Sequence, residues 1–103
     1  MKTGIVVFAH GSTLEPANAA VRAVTTEMAR LGGYELVETA FLDVAEPRLK
    51  DAIEKLAARG AERVIVIPYF LTLGRHAAED LPALVAEVES AHPSLSVVVT
   101  APL

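Results

Sequence analysis

The stretch "IVVFAHGST" (residues 5–13) runs five apolar residues into His10 and then leaves strand chemistry at once, with Gly11 and two hydroxyl residues behind it. A continuous apolar run is the pattern of a strand buried on both faces, as in a parallel sheet covered by helices. A strand with one wet face would alternate instead. "RVIVIPYF" (63–70) repeats the pattern, and because Pro68 has no N–H to give a central ladder, that strand is expected to end near Ile67. "YELVETAFL" (34–42) carries Glu35 and Glu38, which places it at a sheet edge, and "LSVVVTA" (95–101) reads as a fourth strand.

Helical spacing fills the gaps between these strands. After Pro16 come Val21, Val24, Met28 and Leu31 at spacings of three and four, closed by Gly32-Gly33. Pro47 is expected to open a second helix with Leu49, Ile53 and Leu56 on one face and Gly60 as its stop. A third helix turns Leu81, Leu84, Val85 and Val88 inward. The pattern βαβαβαβ with short connections predicts an α/β fold: one parallel sheet with helices on both faces, joined by right-handed crossovers. The first and third strands are the most apolar and belong in the middle, so the expected order is 2-1-3-4. No linker, repeat or composition shift divides the chain, and residues 1–103 are expected to form a single domain.

Composition narrows the function classes. Hydrophobic residues make up 52% of the chain and aromatics 5%, so the core is aliphatic and a disordered chain is excluded. No apolar run approaches the ~20 residues that span a bilayer. "MKTGIVVFAHG" lacks a small-residue cleavage site and reads as a first strand, not a secretion signal, so a cytoplasmic setting and no membrane partner are expected. Cysteine is absent, which removes thiolate catalysis and sulfur-based metal sites. A net charge of -4 argues against nucleic-acid binding, which needs a basic face.

The predicted strand order has a switch point between strands 1 and 3, and open α/β sheets bind ligands at the strand carboxyl ends beside such a point. His10 ends strand 1. The loop after strand 3, "LTLGRHAAED", carries His76, and the loop after strand 2, "DVAEP", brings Asp43 and Glu46 to the same rim. Neutral imidazole is both a ligand for cobalt, nickel, iron or zinc and a general base near neutral pH, and a carboxylate beside it completes a metal site or orients the ring. His92, in "SAHPS", falls at the opposite end of the sheet, where it favours a helix dipole. Rival motifs fail: Ala9-His10-Gly11 lacks the arginine of a histidine phosphatase, Ser12 has no nucleophile-elbow spacing, and no P-loop or dinucleotide fingerprint occurs.

The segments "VVFAHGST" followed by "PAN", then "AFLDVAEP", then "VIVIPYFLTLGRHAAEDLP" together resemble the small form of the CbiX-type sirohydrochlorin chelatases, from about Gly4 to Pro102. The resemblance implies a flavodoxin-like half, one domain of a sandwich, that pairs as a homodimer. It also implies that a helix usually following "APL" is missing here, which would uncover sheet surface next to strands 1 and 3. The implied activity is insertion of a divalent metal, cobalt before nickel or iron, into sirohydrochlorin, with the metal as substrate and no organic cofactor. By the same resemblance His10 and His76 handle the metal and Glu46 is their acidic partner. Ser12, Arg75, Tyr69 and Phe70 are the candidate substrate contacts, with Leu73 adding to an apolar floor. Helix N-termini at the rim offer N–H groups to the substrate's carboxylates. A non-catalytic metal-binding or carrier domain using the same histidines is the alternative.

Overall fold

A computed structural model describes residues 2–69 and 75–101, the side chains of 75–79 excepted. Strands and helices alternate strictly: β1 (Thr3–Ala9), α1 (Glu15–Gly32), β2 (Val37–Phe41), α2 (Leu49–Ala58), β3 (Arg63–Pro68), α3 (Arg75–Ala91) and β4 (Ser96–Val99). The strands form one parallel sheet in the order β2-β1-β3-β4, as expected. In the register, Phe8 of β1 lies opposite Ala40 on one side and Pro68 on the other.

Alternation along β1 divides the core between two layers. Val6 and Phe8 point, with Val64 and Val66, into the layer that α2 and α3 cover with Leu49, Ile53, Leu56, Leu81, Val85 and Val88. Both sides of β1 are buried from Gly4 to Ala9, and its apolar run needs no alternation for that reason. Gly4 is required by packing: a Cβ there would sit 3.0 Å from Leu56 Cδ1 and 3.3 Å from Leu56 Cβ, so α2 rides close on β1.

The other layer is thinner. Among the described residues, α1 packs chiefly on β2 and β1. Its buried residues are Asn18 and Thr25, whereas the stripe expected to face inward is only partly covered, with Leu31 71% exposed. The Thr39 hydroxyl donates to Thr25 Oγ1 (2.7 Å) and Thr25 donates to the Val21 carbonyl (3.1 Å), so two polar side chains are satisfied inside and take the place the periodicity assigned to valines. Beyond β1 on this side, Ile65 and Ile67 are half-buried and Val98 is exposed. Val24, Met28, Leu31 and Tyr34 line an open apolar groove along α1.

Several boundaries differ from the sequence expectation; β2 and β4 are shorter, at 37–41 and 96–99, and three other differences shape the rim. β3 runs to Pro68, its last ladder position, and Tyr69 N–H carries the pairing on to the Phe8 carbonyl (2.7 Å). α2 begins at Leu49, not at Pro47. The Pro47 carbonyl accepts from Phe41 N–H (2.9 Å) and Arg48 bridges to Phe41, so residues 47 and 48 run extended beside the end of β2 before the helix can turn. α3 begins at Arg75, which puts His76 in a helical first turn and not on a loop.

Candidate active site

The carboxyl rim is built from two loops that continue the β1–β2 pairing past the strand ends. Leu42 N–H donates to the Ala9 carbonyl (2.9 Å) and Asp43 N–H to the His10 carbonyl (3.1 Å). Gly11 makes this approach feasible. Its φ is 95°, a left-handed conformation that glycine adopts without strain, and a Cβ there would lie 2.0 Å from the Asp43 carbonyl oxygen. The loop bearing His10 and the loop bearing Asp43 and Glu46 are thereby held against each other.

His10 is exposed at this junction. Its Nδ1 lies 3.3 Å from the Gly11 carbonyl oxygen. A carbonyl only accepts, so a neutral ring makes this contact with its proton on Nδ1, which leaves Nε2 as the nitrogen with a lone pair. This is the tautomer that metal-binding histidines use, with the second nitrogen tied to a backbone acceptor.

Asn18 and Arg22, which the sequence reading assigned no role, position these loops. Asn18, 3% exposed, accepts from Ser12 N–H at Oδ1 (2.9 Å) and donates from Nδ2 to the Ser12 carbonyl (2.8 Å) and to Glu15 (3.3 Å). The signal was present: an asparagine on the sheet-facing side of α1 is a buried amide that must find partners. The Ser12 hydroxyl accepts from Leu14 N–H (3.0 Å) and so shapes the start of α1, which has no side-chain cap. Arg22 pairs with Glu15, reaches the Glu46 carbonyl (3.4 Å) and lies 5.3 Å from the centre of the Phe41 ring. Hydrogen bonds from Arg22, then Asn18, hold the Glu15 carboxyl below its ordinary value.

The remaining candidates are distributed as follows. Glu46 is exposed on the β2–α2 loop, and Asp43 faces Arg48 at 3.5 Å. Tyr69 is half-buried directly after β3. Phe70 and Leu73 lie outside the described residues, as do the side chains of Arg75 and His76; the backbone of the latter two starts α3. Among the described residues, no group of three or more carboxylates and imidazoles is arranged to hold a metal ion. His92 is elsewhere: its Nε2 meets Glu54 of α2 at 2.8 Å, linking the end of α3 to α2.

The CbiX family model matches residues 4–103. The chain belongs to the CbiX family. This CbiX chain is 37% identical over 100 residues to the chloroplastic sirohydrochlorin ferrochelatase of Arabidopsis thaliana, a match covering 97% of this chain and 44% of that one. It is 31% identical over 80 residues to a sirohydrochlorin cobaltochelatase of Methanopyrus kandleri, covering 78% of this chain and 56% of that one. The sirohydrochlorin chelatase SirB of Bacillus subtilis subspecies spizizenii, solved in complex with cobalt, superposes with a TM-score of 0.89 at 27% identity, over 99% of this chain and 44% of SirB. The CbiX chain thus spans about half the length of the relatives it matches.

Proposed function

We propose that this chain inserts a divalent metal ion into sirohydrochlorin, with cobalt as the first candidate and iron or nickel as alternatives. The observation that carries this reading is His10, an exposed imidazole on the rim of a CbiX fold, with its Nδ1 3.3 Å from the Gly11 carbonyl oxygen. Relatives named for cobalt and for iron support metal insertion as the reaction class and leave the metal open.

The chemistry asks little of the protein beyond presentation and proton removal. The incoming ion sheds water while both pyrrole N–H protons of the macrocycle depart, so one divalent ion enters and two protons leave. His10 Nε2 holds the ion weakly enough to release it, with His76 as the second ligand. The Glu46 carboxylate, on the loop stitched to His10, accepts a proton as nitrogen replaces water. Arg75, Arg48 and the hydroxyl of Ser12 are the proposed contacts for the substrate's peripheral carboxylates. Tyr69 and Phe70 are proposed to support the ring. We place the reaction in the cytoplasm, performed by a homodimer; among the described residues no helix is long and apolar enough to cross a membrane.

The test follows the absorbance of sirohydrochlorin on adding Co²⁺ with and without protein. Acceleration by the wild type and its loss in His10→Ala, with an unchanged melting curve because the residue is exposed, is the expected result. Binding of Co²⁺ without acceleration would instead identify a metal carrier.

A further inference from the structure

Val44 has a backbone conformation that its side chain opposes. Its φ is 55°, in the left-handed region where a β-branched residue is an outlier. Burial does not compensate, because the residue is 52% exposed. The loop nevertheless holds it there. Val44 N–H donates to Asp43 Oδ1 (2.9 Å), Arg48 Nη2 lies 3.5 Å from the same oxygen, Asp43 N–H is bonded to the His10 carbonyl (3.1 Å), and the Asp43 carbonyl abuts Gly11. Strained residues persist where their surroundings over-determine them, and they cluster at binding and catalytic sites. A second large apolar residue, Leu14, is 69% exposed on the loop that carries His10. Each of these two rim loops therefore presents one solvent-exposed aliphatic side chain.

We propose that Val44, with Leu14 of the neighbouring loop, is a substrate contact that seats the apolar face of the macrocycle against His10; this rests on the tetrapyrrole reading above. A tetrapyrrole carries its charge on peripheral carboxylates, while its conjugated face is flat and apolar. A face brought up to His10 must lose its water to something, and Val44 is the large apolar side chain that this loop exposes. The strain then holds an aliphatic surface outward that would relax or bury itself if it served only the fold. A contact of this kind binds ground state and transition state alike, so its loss raises KM and leaves kcat nearly unchanged.

Val44→Asn separates contact from fold. Asparagine tolerates the left-handed region, so the variant is expected to melt higher than the wild type, by roughly 5 °C, while its polar amide weakens binding. Titration of metal-free sirohydrochlorin, read by its absorbance, is expected to show a five- to tenfold weaker Kd for Val44→Asn and a near wild-type Kd for Val44→Leu. In steady-state cobalt insertion the same loss should fall on KM. Wild-type affinity in Val44→Asn overturns the inference and leaves the function intact. A wild-type protein that binds no sirohydrochlorin overturns the function, and the inference with it.

Discussion

Asn18 shows how a single buried amide sets the geometry of a loop it does not belong to. From the first turns of α1 it pairs both the N–H and the carbonyl of Ser12, two residues beyond His10. Asn18→Ala would leave a donor and an acceptor unpaired in a nearly buried place, at a cost of about 1–3 kcal/mol. Urea denaturation is the measurement, and a midpoint equal to that of the wild type would mean the clamp contributes nothing. His10 was legible in the sequence because it interrupts an apolar run where the topology puts a site. Asn18 could be read as an inward-facing amide, but the groups it holds, like the roles of Arg22 and Val44, could not, since these depend on which carbonyls are reached and on one dihedral angle, and neither is a property of residue type.

At the scale of elements, α2 and α3 are joined at the end of the sheet remote from the rim by His92 and Glu54. The hydrogen bond from His92, with smaller help from Lys50, holds the Glu54 carboxyl below its ordinary value. A carboxyl depressed in the folded state leaves the unfolded chain binding more protons, so this contribution is complete above the ordinary carboxylate range. It is lost as pH falls through the lower folded value. His92→Gln should therefore melt below the wild type near neutral pH, with the gap closing at strongly acidic pH. The gap is expected to be small, because both groups are partly solvated. Thermal melts of the pair across the acid range check this, and a gap that widened on acidification would show that Glu54 is not the group concerned. Cobalt insertion by His92→Gln should match the wild type, since the residue takes no part in the rim. The starts of α2 and α3 were the least legible features: Pro47 looked like a helix opener, but its carbonyl is taken by Phe41.

For the whole molecule, the two faces of the sheet are unequally covered. The layer under α2 and α3 holds the buried core cluster, whereas on the other face Ile65 and Ile67 are half-buried, Val98 is exposed and an open apolar groove runs along α1. Large exposed apolar surface favours association, and the commonest closed arrangement is a two-fold dimer. Light scattering at micromolar concentration should give about twice the 10.9 kDa chain mass, and a 10.9 kDa particle that metalates sirohydrochlorin would refute the dimer. The amino-acid sequence by itself determined the strand order, the central place of β1 and β3, and the rim whose loops carry His10 and Glu46. Apolar runs and turn residues are local, and right-handed crossovers leave such a pattern few ways to fold. Only the tertiary structure decided which peptide groups stitch the rim loops together, which face of α1 is polar and buried, and that Val44 is held outward. Those outcomes depend on hydrogen bonds and close approaches between segments distant in the chain, which periodicity does not encode.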